Sequence, residues 1–370
     1  HAAVLGRREN NDAMGGARTS PVRSVHVRAA LAAAALVIFR TAPAGAVWAA
    51  PIQLNLNASG TDQGAPDLAR LPGGALWVVF GGNQDGDYDI YLVCSSDQGA
   101  TWTTPAQLNS TASSGGDQTN PRMAASLDPD LSTIHVSVAY RGASIPALGA
   151  DTEVGLSRLS TTVASPCVFT AATAEYVDQP NSVDQDTPDV DIDADGDTWI
   201  VYREASGANF LVESGYLAAG NSTYARVTAH SAAITNAFEP SIAAAGANGT
   251  TSKVVVAFHE APLDADGGDD VVLRWSGDGG QSWNGPDRID SGATQVQRPE
   301  VEFHRFATPI VYQVYEEASN IRVRVVDLSG ASATVAVGPV TVTAGFNPAI
   351  ATLPNVGDAL ITYESSFNVF

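Results

Sequence analysis

The chain has 370 residues, with 40 Asp and Glu against 19 Lys and Arg, a formal charge of −21 and a single lysine, Lys253. Such an acid excess argues against nucleic acid or an anionic membrane surface as partner, since both demand clustered Lys and Arg. A hydrophobic fraction of 44% with 34 Gly and 20 Pro describes a folded, turn-rich globule rather than a disordered chain or a helical bundle. Two cysteines are too few for a disulfide framework and lack zinc-site spacing.

In chain order, the first segment reads as a leader. It starts at His1, and from Met14 onward Arg18, Arg23 and Arg28 form a basic region before the apolar run Ala29–Phe39. Ala44-Gly45-Ala46 then offers a small-residue cleavage site. The run is too short to span a bilayer, which takes about 20 residues. Residues 1–46 are therefore expected to be a secretory signal, and 47–370 one domain of the mature, exported chain. Removing six arginines and two acids with the leader leaves a protein near −25.

After residue 47 a repeat organises the chain. A proline followed by an alternating apolar strand recurs at Pro66, Pro121, Pro188, Pro240, Pro299 and Pro348, 49 to 67 residues apart. Each is followed by a Gly/Asp/Asn-rich turn and a second strand ending at Phe80, Tyr140, Tyr202, Phe258, Tyr315 or Tyr363. Repeats of this size, each worth about four strands, predict an all-β chain folded as a six-bladed β-propeller of four-stranded antiparallel blades. Trp48-Pro51-Leu54 matches the outer-strand pattern Trp102-Pro105-Leu108 and Trp283-Pro286-Ile289 but has no complete repeat before it. Residues 50–55 are thus expected to supply the outer strand of the last blade, closing the ring and removing a free sheet edge.

Two repeats carry a sharper motif. Ser95, Asp97, Gly99 and Trp102, and again Ser276, Asp278, Gly280 and Trp283, fit S-x-D-x-G-x-(T/S)-W. The pattern reads as a self-contained turn: Asp accepts local N–H bonds, Gly takes a conformation other residues resist, and Trp packs between sheets. It resembles the Asp box, or BNR repeat, of the sialidase (neuraminidase) superfamily. That resemblance implies a β-propeller, a structural role for these eight residues on the face opposite the active site, and carbohydrate as ligand.

It also implies where chemistry would sit: the loops after each second strand and the first-strand prolines. Those positions present Arg122, Arg141, Arg203, Glu204, His259, Glu260, Arg298, Glu316 and Glu364. A sialidase-type mechanism needs three arginines to fork onto a substrate carboxylate, with an acid/base carboxyl and an activated Tyr nucleophile. Arg141, Arg203 and Arg298 are the candidate arginines, and Tyr363 with Glu204 or Glu260 the candidate nucleophile pair. Arg122, His259, Glu316 and Glu364 are candidates for substrate binding. The family's (F/Y)-R-I-P signature is absent, however, and Arg298-Pro299 lacks the intervening Ile. Solvated loop ends and salt bridges between blades are the plain alternative for these residues.

Asp62-Gln63, Asp117-Gln118 and Asp184-Gln185 repeat as D-Q-x-x-P, and repetition favours a turn-stabilising role. Asp191, Asp193 and Asp195, followed by Gly196, match the core of calcium loops but lack the distal Glu; a hairpin turn competes with calcium there. Asp85–Asp89 and Asp264–Asp270 are similar acidic loops. Beyond possible calcium, no cofactor is expected. Cys94 and Cys167 lie in adjacent repeats, and an exported chain permits a disulfide between them. Asn57, Asn109, Asn221 and Asn248 stand in sequons.

Three functions follow. The first is a monomeric, extracellular protein engaging a glycan or glycoconjugate without catalysis. The second is an exo-sialidase-like glycoside hydrolase with a divergent site, and the third a scaffold that binds another protein. Fold analogy does not choose among them.

Overall fold

The computed structural model describes residues 25–28, 38–41, 54, 63–83, 87–108, 116–128, 130–143, 152–170, 173–177, 183–207, 209–218, 224–230, 237–246, 252–261, 268–289, 295–304, 309–330, 332–352, 358–365 and 368–369. Among them all regular structure is strand, and no helix is long and apolar enough to cross a membrane. The four sequons, Asp62, Asp85, Asp264 and Asp266 lie outside the described residues.

Strands β1 (Val25–Arg28) and β2 (Ile38–Thr41) come first. The first sheet is β3 (Gln63–Arg70), β4 (Leu76–Gly82), β5 (Asp89–Ser95) and β6 (Ala106–Gln107). The second is β7 (Gln118–Leu127), β8 (Thr133–Ala143), β9 (Thr152–Thr162) and β10 (Thr173–Tyr176). The third is β11 (Gln185–Ile192), β12 (Thr198–Ser206), β13 (Asn209–Leu217) and β14 (Ala225–His230). The fourth is β15 (Ala237–Ala245), β16 (Lys253–Glu260), β17 (Asp270–Ser276) and β18 (Asn284–Ile289). The fifth is β19 (Val296–Phe303), β20 (Ile310–Glu317), β21 (Asn320–Asp327) and β22 (Thr334–Ala344). The last joins β23 (Phe346–Thr352), β24 (Asp358–Ser365) and β25 (Asn368–Val369) to β1 and β2. Every pairing is antiparallel, in simple meander order within sheets one to five.

In the last sheet the strand beside β24 is β1, whose Val25 and Val27 pair with Ile361 and Ala359, with β2 outside it. Of residues 50–55 only Leu54 is described, and it packs against Val78, Phe80, Tyr91 and Val93 on the first sheet.

Burial explains the strand compositions. The second strands β4, β16 and β20 are buried along nearly their whole length, and for β16 and β20 both faces of the sheet are covered by neighbouring sheets. Lys253–Glu260 accordingly reads as an almost continuous Val/Ala/Phe run. The outermost β22 is mostly exposed. Alternate side chains go to opposite neighbours: Trp199 and Val201 join Val254 and Val256 of the fourth sheet, while Ile200 and Tyr202 join Ala139 and Leu156 of the second. Similar cores lie between the first and second sheets, the fourth and fifth, and the fifth and sixth. The Cys94–Cys167 disulfide, with Cα atoms 5.6 Å apart, clips the first sheet to the second. Beside it the Trp77 Nε1 donates to the Pro166 carbonyl at 2.9 Å.

First strands touch in sequence, β3 to β7, β7 to β11, β11 to β15, β15 to β19 and β19 to β23. Side chains that follow three of the prolines stitch them. Asp67 accepts the Met123 N–H at 2.7 Å, Asp189 that of Ile242 at 2.9 Å, and Ser241 Oγ that of Val301 at 3.3 Å. Arg122 holds the same position in the second sheet and cannot accept. It lies instead in the field of Glu300, Asp189, Asp67 and Glu239, carried by β19, β11, β3 and β15.

Candidate functional site

The site begins with a backbone irregularity repeated six times. In every first strand the register slips between the second residue before the proline and the residue after it. The residue directly before the proline takes a positive φ, between 45° and 54°, at Ala65, Asn120, Thr187, Glu239, Arg298 and Asn347. That is an uncommon conformation for a residue with a side chain, and a proline following restricts it further. A bulge frees the extra residue from pairing and re-aims its side chain. Here the bulges turn Thr187, Glu239 and Arg298 onto one rim.

Just before the bulge, each first strand pairs with the end of its second strand. Asp186 stands opposite Arg203, Phe238 opposite His259, and Gln297 opposite Glu316. The second sheet has Thr119 with Arg141, the sixth Phe346 with Glu364, and the first only Gly64 with Gly81.

Thr187, Arg203, Phe238, Glu239, His259 and Gln297 line a cleft of about 290 Å³ across the third, fourth and fifth sheets. Arg203 is held from two directions. Its Nε donates to Asp186 Oδ1 at 2.6 Å and its Nη2 to Asp186 Oδ2, while its guanidinium lies 4.0 Å over the Phe210 ring and 5.3 Å from that of Phe238. Phe238 also stacks on the His259 ring, centroids 5.1 Å apart. On the other side Arg298 Nη1 donates to Glu316 Oε2 at 3.0 Å, and Gln297 Nε2 to Glu316 Oε1 at 3.2 Å. Arg298 Nε is 3.8 Å from Glu239 Oε1. His259 is only 8% exposed, and its Nδ1 lies 3.5 Å from Glu239 Oε2, too far for a formed hydrogen bond.

Electrostatics set the protonation states. Burial, with Arg298 and Arg203 nearby, lowers the His259 pKa to about 4, so its ring is neutral at pH 7. Burial raises the Glu239 pKa, opposed by Arg298, Arg122 and Arg203. Below the cleft, burial raises the carboxyls of Asp67 and Asp189, opposed by Arg122. Glu300 is pushed up to about 8, by burial first and then by the charge of Asp189. In the cleft two guanidiniums meet three carboxylates, those of Asp186, Glu316 and Glu239, so it offers no surplus of positive charge.

The structure thus brings together Arg203, His259, Arg298 and Glu316 from the sequence-based candidates, with Arg122 beneath them. Arg141 acts on Asp184, whose pKa is lowered by hydrogen bonds from Thr152 and, more weakly, by that charge. Glu204 and Glu260 sit in ion pairs inside their own sheets, Glu204 with Arg226 at 2.8 Å and Glu260 with Arg288 at 2.7 Å. Glu317 pairs with Arg322 at 2.6 Å in the same way, which marks a repeated structural device. Tyr363 belongs to the core between the fifth and sixth sheets, and Glu364 is exposed on β24. Sequence reasoning missed Phe238, Glu239, Asp186 and Thr187, although the pre-proline position, once Arg298 was singled out there, pointed to Glu239 and Thr187.

The acidic motifs resolve as turns and stitches. Asp193 is buried, and its carboxylate accepts from Asp195 N–H at 3.1 Å, Asp197 N–H at 3.0 Å, Trp199 Nε1 at 3.3 Å and Ser252 Oγ at 2.6 Å. Asp191 accepts from Ile192 N–H at 2.8 Å and from Ala244 N–H of the next sheet at 2.7 Å. Asp117 and Asp184 accept from Tyr88 N–H and Thr152 N–H of the preceding sheet. In the two S-x-D-x-G turns, Ser95 and Ser276 donate to Asp97 and Asp278 and accept from Gly99 and Gly280 N–H, while Asp97 and Asp278 accept from Thr101 and Ser282. Those bonds hold the Asp97 pKa down to about 2 and lower that of Asp278.

Sheets of this kind, with their rim site, define a sialidase-like β-propeller, and solved structures agree. The chain is similar to the intramolecular trans-sialidase of Ruminococcus gnavus, crystallised with oseltamivir carboxylate (TM-score 0.53, 11% identity, 83% of this chain and 91% of that one). It is also similar to the NanB sialidase of Streptococcus pneumoniae (TM-score 0.51, 10% identity, 86% and 68%). It spans 66% of the length of a PL25 ulvan lyase, at TM-score 0.46, 13% identity and 73% of this chain. No protein-family model and no curated protein matches the sequence.

Proposed function

We propose that the chain is an exported six-bladed propeller that binds carbohydrate at the Arg203–His259–Arg298 cleft without sialidase catalysis. The observation that carries this reading is the charge balance of that cleft. Arg203 gives its Nε and Nη2 to Asp186, and Arg298 gives its Nη1 to Glu316, so neither presents a free fork to a ligand carboxylate. What does face the cleft is a neutral imidazole with an unbonded Nδ1, a flat Phe238–His259 stack, and the polar ends of Thr187, Glu239 and Gln297. Flat stacks beside fixed hydrogen-bonding groups suit a polyhydroxylated ring. The glycoside hydrolase is the second reading, favoured by one observation: Glu239, with its raised pKa, stands 3.5 Å from a neutral His259 and pairs a proton donor with an acceptor.

Two observations support six closed blades. The face of the first sheet bearing Val78, Phe80, Tyr91 and Val93 is buried although no described sheet packs on it. Asp62-Gln63 repeats the pair that, at Asp117 and Asp184, ties each sheet to the one before. Export is supported by the disulfide. Cleavage near residue 46 would remove β1 and β2 and leave their place to residues 50–55.

A fluorogenic sialoside assay run beside a glycan array tests the function. Saturable array binding without turnover is the expected result. Turnover abolished by Glu239→Gln would establish the hydrolase instead, and silence in both would leave the scaffold.

A further inference from the structure

Glu239 is the one acid of the cleft without a matching donor. Asp186 takes two hydrogen bonds from Arg203, and Glu316 accepts from both Arg298 and Gln297. The Glu239 carboxylate accepts from no donor among the described residues. Arg298 Nε stays 3.8 Å from its Oε1 and His259 Nδ1 3.5 Å from its Oε2, both longer than a formed hydrogen bond. The side chain is 47% exposed where it lines the cleft. Three carboxylates therefore share two guanidiniums, and the surplus negative charge stands on the acid that a ligand can reach.

His259 is a second, independent sign of a missing group. It is 8% exposed, Phe238 stacks on its ring, and its Nδ1 has no hydrogen-bond partner. The neutral ring, with its proton on Nε2, turns Nδ1 into an acceptor. An acceptor left unpaired in a buried place costs stability, and such an atom in a native fold calls for a partner. Two acceptors thus stand side by side in the cleft with no donor between them, and the donor has to arrive with the ligand. We propose that the ligand is an amino sugar, its ring against the Phe238–His259 stack and its ammonium group donating to Glu239 and His259. A hydroxyl would bring one proton and no charge. An ammonium brings three N–H donors and the positive charge that evens three carboxylates against two guanidiniums. An anionic sugar would instead have to displace Asp186 or Glu316 from its arginine. An N-acetylated sugar would offer a single uncharged N–H.

The inference rests on the carbohydrate reading of the cleft and names the class of sugar. The test is calorimetric titration of the full chain, at about 0.15 M salt, with the methyl glycosides of glucosamine, galactosamine and mannosamine. Each is run beside its N-acetylated form and its neutral parent, glucose, galactose or mannose. Wild type is compared with Glu239→Gln, which keeps the shape and removes the charge. Glu239→Thr is the second variant, because the same bulge already carries a threonine at Thr187 with nearly the same φ. The expected result is that wild type binds at least one amino sugar about tenfold tighter than its neutral parent and its N-acetylated form, the size of one hydrogen bond between charged groups. In both variants that preference disappears while the neutral sugars bind as in wild type, which shows the cleft intact. Equal wild-type affinity for amino and neutral sugars overturns the amine and leaves the carbohydrate reading standing. A preference that survives both variants belongs to the general attraction of a cation to a chain of −21, and overturns it as well. A wild type that binds no sugar, in this series or on the glycan array, overturns both.

Discussion

His259 and Glu300 are two buried titratable groups pushed in opposite directions, and their effects on stability run in opposite senses with pH. The His259 pKa falls from 6.5 to about 4 on folding. Above pH 6.5 the ring is neutral folded or unfolded; as pH drops toward 4 only the unfolded chain gains the proton, and stability is lost, by roughly 3 kcal/mol in full. Glu300 rises from 4.5 to about 8. Its contribution is complete below pH 4.5 and is lost as pH rises toward 8, because the unfolded carboxyl ionises first. Glu300→Gln should therefore raise the melting temperature more at pH 8 than at pH 5, and equal shifts at both would contradict the assignment. At this scale the turns of Asp97 and Asp278 were legible in the sequence, since all their partners lie within a few residues. Glu239 was not, because its role depends on a bulge that turns it away from the strand's alternation.

Among elements, the six first strands and the fully buried second strands were legible, as proline-led repeats and as runs such as Lys253–Glu260. The functional reading of Glu204 and Glu260 was harder, because their partners Arg226 and Arg288 lie on other strands of the sheet, 22 and 28 residues away. In the hairpin of residues 191–197 the acids of the motif carry hydrogen bonds within the turn and to the next sheet. Asp193 satisfies four donors, two of them the side chains of Trp199 and Ser252. Asp193→Ala would leave these buried groups unpaired and should cost about 3 kcal/mol in denaturant unfolding. Because calcium would have to displace those donors, wild-type melting temperature should be the same in calcium and in EDTA; a rise with calcium would identify a cation loop after all.

For the whole molecule, the acid excess has mostly structural addresses: stitches between sheets, hairpin turns, and the pairs Asp186–Arg203 and Glu316–Arg298. A neutral sugar in this cleft should bind with an affinity that changes less than about twofold between roughly 0.05 and 0.5 M salt. Over the same range, thermal stability should rise as self-repulsion within a chain of −21 is screened. A steep fall in affinity with salt would instead reveal an anionic ligand held by arginine. The overall architecture was legible because one repeat, read six times, is insensitive to any single misread residue. The partner of β24 was not, because a free sheet edge accepts any suitable strand and local sequence does not rank the candidates.

The positive-φ residue before each proline has a consequence for how such a protein can change. It lies outside the hydrogen-bond ladder, so its identity is decoupled from the register that holds the sheet. Ala, Asn, Thr, Glu, Arg and Asn occupy the six places over nearly the same backbone geometry. Each sheet thus carries one interchangeable socket on a common scaffold, and a new specificity can be assembled by exchanging six side chains while the fold beneath them stays as it is.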